Sequence, residues 1–297
     1  MNKIAIIEVG SANTKTMLYE NGIFTEPKEL RLEVSNHHKK LGHLDPKDVD
    51  TLCDYVKSYV DKGYTVRVVG TSLFRSLGDS ESKKFLHDFK TKTGIDFEIV
   101  TAEQEGEYTV KGVLGNDYKG RLAVMIGGGK STEVYIVENK QIIERHHNMY
   151  GAYNVSEVFP NINDHKPNIN TEAIQKFCED LTQDIKNKSD ILVLAGGDHL
   201  HVWEAIGKDV LEPNRFYKDE LQPYQVEIEK AKQTGHRFVM QDDLDYYRNN
   251  FNVHVPEWWN GCRQMRFCVV AVANKVGAKF LIPTRINMCL GIINEMI

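Results

Sequence analysis

Residues Leu122–Val137 read LAVMIGGGKSTEVYIV: an apolar run, three glycines, a Lys-Ser-Thr-Glu segment and a second apolar run. The two runs predict strands joined by a tight turn. Successive glycines between strands cost chain entropy, which predicts a backbone that approaches a ligand closely. Gly129-Lys130-Ser131 invites comparison with a nucleotide-binding P-loop. That loop needs a glycine where Val124 stands and a helix where a strand pattern follows, so it is rejected.

The same grammar opens the chain. Lys3–Glu8 is a short β-branched run ending in Gly10-Ser11, and Thr14–Tyr19 alternates as a returning strand. A strand, a Gly/Ser turn and a hairpin at the start of each half predict two related α/β domains facing one another across a cleft. Between the hairpins, Asp45-Pro46 starts a helix to Val60. Thr65–Val69 is a strand closed by Gly70-Thr71-Ser72, and Glu81–Thr93 a helix stopped by Gly94. Phe97–Val100 is a strand and Glu103–Leu114 a helix. The polar stretch Asn116–Gly120 marks the expected domain boundary. Beyond the second hairpin, Thr171–Asn187 reads as a helix, Asp190–Leu194 as a strand and Ala195-Gly196-Gly197-Asp198 as a third small-residue turn. His201–Trp259 carries no clear pattern. Arg263–Lys275, Lys279–Pro283 and Cys289–Met296 close the chain as helix, strand and helix. The expected domains are 1–120 and 121–281, with 282–297 a closing helix that packs back on the first.

The 297 residues are 41% hydrophobic and 27% charged, so a core of ordinary size is expected. A net charge of −5 argues against sequence-blind nucleic-acid binding, and a phosphate ligand needs a local positive pocket instead. The five cysteines have no zinc spacing and read as reduced thiols. The first apolar run is too short for a signal peptide and no stretch approaches a membrane span. A cytoplasmic location is expected.

Five motifs carry chemistry. In Glu8-Val9-Gly10-Ser11-Ala12-Asn13-Thr14, glycine admits a phosphate to the backbone, hydroxyls bind its oxygens, and a carboxylate at the strand end suits hydrated Mg²⁺. Taken alone, it reads better as a plain hairpin turn. The second is the Gly127–Glu133 stretch. In Gly70-Thr71-Ser72-Leu73-Phe74-Arg75, hydroxyls and an arginine follow a strand, and arginine suits forked binding of phosphate oxygens. A surface arginine is as good a reading. Glu103-Gln104-Glu105-Gly106 sits at a helix start, where acids often only complement the dipole. Gly196-Gly197-Asp198 is weak by itself. The pairs His37-His38 and His146-His147 do not suit one metal ion, because strand neighbours point to opposite faces. Lys28, Arg31, His37, His38, Lys39 and Lys40 form a basic patch, either a solvated face or a guide for polyanions.

The ordered set resembles the exopolyphosphatase/guanosine pentaphosphate phosphohydrolase family along nearly the whole chain. Glu8-Val9-Gly10-Ser11-Ala12-Asn13 is similar to the family's opening Asp-x-Gly-Ser-Asn-Ser turn, and Thr71-Ser72-Leu73-Phe74-Arg75 to its Thr-Ser-Ala-x-Arg segment. Glu103-Gln104-Glu105-Gly106 resembles Gly-x-Glu-Glu-Ala, and Met125–Glu133 resembles Asp-Ile-Gly-Gly-Gly-Ser-Thr-Glu. Tyr150-Gly151-Ala152, Ala195–Asp198, Arg266 and Gly291-Ile292-Ile293 match later elements. The resemblance implies two actin-like (ribonuclease H-like) domains around a cleft, in which terminal phosphoanhydride bonds are hydrolysed with Mg²⁺. It implies Glu105 as the base for the attacking water, with Glu103 the alternate and Glu133 a second carboxylate near metal or water. Glu8 and Glu133 would hold the metal. Ser11, Asn13, Thr71, Ser72, Arg75, Gly127, Gly128, Gly129, Lys130, Ser131, Gly196 and Gly197 would bind phosphate. Two departures stand out. Glu8 replaces an aspartate. Before the glycines Met125 stands where the family has aspartate, or Ile126 does if Lys130 is an insertion. Expected partners are polyphosphate or a phosphorylated guanine nucleotide, with a homodimer open, and neither nucleic acid nor membrane. The alternative to an enzyme is a catalytically weakened relative that binds a phosphorylated ligand as a sensor.

Overall fold

The structure is a computed structural model that describes residues 3–10, 14–25, 30, 32, 34–115, 118–251 and 256–297. Ser11 and Asn13, the basic residues Lys28 and Arg31, and Asn116-Asp117 of the expected boundary lie outside the described residues. Two compact units form: Met1–Gly112 with Met288–Ile297, and Val113–Asn287. Among the described residues no helix is long and apolar enough to cross a membrane.

The first unit runs β1 (Lys3–Val9), β2 (Thr14–Glu20), β3 (Ile23–Thr25), α1 (Val34–Leu41), α2 (Pro46–Val60), β4 (Thr65–Gly70), α3 (Ser72–Arg75), α4 (Asp79–Thr93), β5 (Phe97–Ile99) and α5 (Ala102–Val113). Its sheet has the order β3-β2-β1-β4-β5, with β1 antiparallel to β2 and parallel to β4. Ala5, Ile7 and Val9 share one face of β1 and join a core with Val56, Phe74, Phe85, Phe89 and Phe97. Local chemistry sets the ends of the helices. Asp45 accepts from the Lys47 amide ahead of Pro46 at the start of α2, and Gly94 ends α4 in the left-handed region at φ 73°. The C-terminal helix Met288–Met296 belongs to this unit and packs on β1. A Cβ at Gly291 would lie 1.7 Å from the carbonyl oxygen of Tyr108 in α5, so only glycine permits that approach.

The second unit runs β6 (Arg121–Gly127), β7 (Thr132–Glu138), β8 (Gln141–Asn148), α6 (Ala152–Val158), α7 (Thr171–Leu181), β9 (Ile191–Ala195), α8 (His199–Ile206), β10 (Glu212–Pro213), β11 (Tyr224–Glu227), α9 (Ile228–Met240), α10 (Leu244–Asn250), α11 (Cys262–Val276) and β12 (Phe280–Pro283); Met288–Met296 is then α12. The order β12-β9-β6-β7-β8 repeats β5-β4-β1-β2-β3 strand for strand, with the same parallel and antiparallel pairings. β11 and β10 extend that sheet antiparallel beyond β12. α11 is almost wholly buried and forms the centre of the unit's core.

Three sequence expectations change. Thr71-Ser72 does more than close a strand: it begins the one-turn helix α3. The helix expected to reach Asn187 stops at Leu181. There Gln183 N–H donates to Asn148 Oδ1 (2.8 Å), and Lys186 and Asn187 N–H donate to the Glu144 carboxylate (2.9 and 2.8 Å), so β8 takes over these amides. The unassigned stretch from His201 to Trp259 holds most of α8 and all of β10, β11, α9 and α10.

Candidate active site

In the first unit, β1 carries Glu8 opposite Lys15 of β2 and beside Val69 of β4. Opposed residues of an antiparallel pair share a face, so Glu8 and Lys15 point the same way. Cys289 Sγ lies 3.8 Å from Glu8 Oε2. After β4, the amide of buried Thr71 donates to the Val9 carbonyl (3.2 Å), and α3 then turns Arg75 back. Arg75 Nη1 donates to the Val100 carbonyl and to Glu105 Oε2, both at 2.9 Å. Ser72 and Glu103 are exposed.

The start of α5 explains why Glu105 is available for that contact. Thr101 Oγ1 accepts from the Gln104 amide (3.1 Å) and Gln104 Oε1 accepts from the Thr101 amide (2.8 Å), a reciprocal capping box. Gln104 therefore does the capping that the sequence reading assigned to acids, and Glu105 faces Arg75. Burial pushes the Glu105 carboxyl above its ordinary 4.5; the Glu8 charge adds to that, while Arg75 and Lys15 oppose it. A carboxylate held above its usual range beside a fixed arginine is suited to accept a proton.

In the second unit, α6 shapes the glycine turn. Ala152 N–H donates to Gly128 O (3.1 Å) and Tyr153 N–H to Gly129 O (2.7 Å), so the first amides of the helix hold the turn's carbonyls. Gly128 N–H closes the turn on Ser131 O at 2.9 Å. A Cβ at Gly151 would sit 2.2 Å from Gly128 O. A Cβ at Gly127 would meet the far end of the Met265 side chain, 2.6 Å from Sδ. Lys130 Nζ lies over the Tyr153 ring, 5.4 Å from its centroid. Buried Thr132 donates to the Tyr150 carbonyl at 2.9 Å.

Glu133 on β7 lies opposite Ile126 of β6 and His147 of β8. His147 Nδ1 is 3.2 Å from its carboxylate. His146 turns to Glu144 and Gln183 instead, so the two histidines serve different faces. Gly196 sits at φ 80°, and a Cβ there would lie 2.5 Å from Ile126 Cγ2. Gly197 precedes Asp198, which caps α8 through the His201 amide (3.1 Å) and meets Arg285 Nε at 3.3 Å.

The hairpin registers bear on the departure before the glycines. Val9 pairs with Thr14 and Gly127 with Thr132, so each hairpin leaves four residues between its last paired positions. Glu8 and Ile126 are thus equivalent, and Ile7 and Met125 are equivalent. Met125 is 0% exposed and part of the core, whereas Ile126 is half-buried at the strand end. The sequence gives no signal for Lys15, weighs His147 only as a metal ligand and reads Cys289 only as a thiol; only the register of paired strands brings Lys15 and His147 to their carboxylates. Among the described residues no group of three or more His, Cys, Asp or Glu side chains converges in a way that would hold a metal ion.

The structure is similar to the Ppx/GppA phosphatase of Aquifex aeolicus in its type II variant (TM-score 0.77, 16% identity, 100% of both chains covered). It is also similar to another structure of the Aquifex aeolicus enzyme (0.78, 18%, 99% of both) and to an exopolyphosphatase from Cytophaga hutchinsonii (0.71, 14%, 99% of this chain and 97% of that one). At these identities the likeness concerns the fold. No curated protein sequence matches the chain. The family model described as the Ppx/GppA phosphatase family matches residues 32–242, well over half of the sequence, and the chain belongs to that family.

Proposed function

We propose that this phosphatase-family protein hydrolyses terminal phosphoanhydride bonds of inorganic polyphosphate or guanosine pentaphosphate, with Glu105 as the base. The observation that carries the reading is Glu105 itself: a carboxylate raised by burial, held at 2.9 Å by Arg75 and within the field of Glu8 and Lys15. Water attacks the terminal phosphorus as Glu105 takes one of its protons. The bond to the bridging oxygen breaks, and inorganic phosphate leaves along with the chain shortened by one phosphate. Arg75 binds phosphate oxygens while keeping the Glu105 carboxylate oriented. In the second unit the Gly129 amide, Ser131 and the Lys130 ammonium are the candidate anion contacts, with Gly196 and Gly197, while the Gly128 amide already closes the turn on Ser131; in the first unit Thr71 and Ser72 are the candidates beside Arg75.

Mg²⁺ fits the donor chemistry of Glu8 in the first unit, whereas Glu105 is engaged by Arg75; Mg²⁺ commonly takes one or two carboxylates, with phosphate oxygens and water completing its shell. Glu133 fits less well, because its carboxylate already meets His147. When bound, the ion would offset phosphate charge. A second reading, a catalytically weakened binding protein, draws on the apolar Ile126 at the position equivalent to Glu8. Phosphate release from long-chain polyphosphate and guanosine pentaphosphate, each with and without Mg²⁺, separates the two. Release that Glu105→Gln abolishes supports the hydrolase. Tight binding of either compound without release supports the sensor.

A further inference from the structure

Away from these motifs, the second unit contains a cavity of about 340 Å³ between α7, α9 and α11, within the roughly 300–1,000 Å³ usual for small-molecule sites. Its wall is mainly apolar, with Val239, Phe267, Val269 and Val270 among the lining residues. Two further lining residues are out of character. Arg266 is 5% exposed, and its Nε and Nη1 have no hydrogen-bond partner. Trp203, 1% exposed, has its indole Nε1 in the same state. The guanidinium carbon stands over the Trp203 ring, 5.4 Å from its centroid. Gly235 of α9 lies over the arginine's aliphatic stem, where an added Cβ would be 3.7 Å from its Cβ, Cγ and Cδ.

Buried N–H donors without acceptors are costly, and a buried guanidinium without a counter-charge more so. Arg266 and Trp203 thus leave three buried donors and one buried positive charge without an acceptor, whereas the lysines of the wall, Lys176 and Lys232, are paired with Asp180 and Glu229. Two carboxylates line the cavity, Glu172 and Glu179, and Glu179 accepts from Gln175 (3.0 Å) and Asn274 (2.7 Å). They would also repel a multiply charged anion. We propose that the cavity binds a small monocarboxylate with an apolar body, its carboxylate seated against Arg266 and its body against α7, α9 and α11. One carboxylate supplies only acceptors, matches a single guanidinium, and leaves the rest of the ligand to displace water from apolar walls. The site is separate from the phosphate-binding turns, and its existence does not depend on the phosphatase reading.

Octanoate is a suitable probe, with octanamide as its uncharged counterpart and inorganic phosphate as the anion without an apolar body. Calorimetry on the full chain should show one octanoate per chain, bound at least about tenfold more tightly than octanamide, in keeping with charge-assisted hydrogen bonds. Phosphate should not compete for this site. Arg266→Met keeps much of the side-chain volume and removes the charge, a replacement that buried ions often tolerate. It should abolish the preference for octanoate over octanamide. If that variant does not fold, Gly235→Leu decides, since a leucine there extends into the cavity and should remove octanoate binding. The proposal is overturned if octanoate fails to bind at millimolar concentration, if octanamide binds equally well, if phosphate displaces octanoate, or if either folded variant binds octanoate like the parent.

Discussion

In the first unit the hairpin of β1 and β2 sets Glu8 against Lys15; in the second, the hairpin of β6 and β7 sets Ile126 against Glu133. The register is the same and the charges differ. The first hairpin keeps an acid and a base on one face, and Arg75 and Glu105 join them from the helices that follow β4 and β5. The second keeps one acid, pairs it with His147 and invests in backbone, with α6 clamping the glycine turn. The proposed function therefore places the proton chemistry in the first unit, beside Arg75 and Glu105, and leaves the second unit's glycine turn as a candidate anion contact. A duplicated fold preserves strand order more strictly than side chains, because sheet order is set by the core and the strand ends are left open to chemistry.

The largest test of that contrast is Glu105→Gln beside Glu133→Gln. The amide keeps the size of the carboxylate but does not accept the proton, and loss of a general base costs roughly 10²–10⁴-fold in rate. Glu105→Gln should lower polyphosphate or pentaphosphate turnover by that much with binding nearly unchanged. Glu133→Gln should cost less. The reverse order, measured by phosphate release, would move the proton chemistry to the second unit.

Next in size is the pair Met125→Asp and Ile126→Asp. An aspartate at 125 enters the core cluster, where an uncompensated buried charge costs about 3–5 kcal/mol. At 126 it occupies the position equivalent to Glu8, half-buried at the strand end, so a loss of about 1 kcal/mol is expected. Urea unfolding measures both. If the lost family carboxylate limits catalysis, Ile126→Asp is the substitution that should raise Mg²⁺-dependent turnover. Equal destabilisation by the two would break the equivalence of the hairpins.

Arg75→Ala is smaller still. Removing one charge-assisted contact to phosphate should weaken binding by about 1–3 kcal/mol, measured by calorimetry in the Glu105→Gln background so that no ligand is consumed. The direction is not trivial, because Nη1 already serves Val100 and Glu105. Unchanged affinity would mean that Arg75 acts only on the carboxylate.

How far the sequence carried this account depended on the kind of signal. The duplication was legible because strand, glycine turn and returning strand form a contiguous pattern. α2 was legible to its end residues because Asp45-Pro46 is a strong local start signal. α8, β10, β11, α9 and α10 were not, since their polar stretches are ordered by contacts with distant elements such as α11 and β12. Glu105 was proposed from a motif, yet the reason it is free to act lies in Gln104, which takes the capping role. Arg266 was noticed as a closing element, but a cavity around it is a tertiary fact that no spacing of residues encodes.

The smallest effect concerns the pH profile. The Glu105 carboxyl titrates above 4.5 in the folded chain because of burial and the Glu8 charge, against Arg75 and Lys15. A raised acid favours its protonated form in the fold. Its contribution to stability is therefore full below the ordinary glutamate range and is lost as pH rises through the raised value. Activity runs the other way, since a base must be ionised, so the acidic limb of kcat/KM should lie above the ordinary glutamate range. Glu8→Gln removes the neighbouring negative charge and should move that limb to lower pH. Arg75→Ala removes the opposing positive charge and should move it higher. The position of the limb is the readout rather than its height, because Glu8→Gln would also weaken any Mg²⁺ bound there. Opposite shifts of the limb in the two variants would tie the titrating group to the Glu8, Arg75 and Glu105 cluster of the first unit. A limb that stays in place in both would assign the ionisation elsewhere, with Glu133 and its partner His147 in the second unit as the next groups to vary.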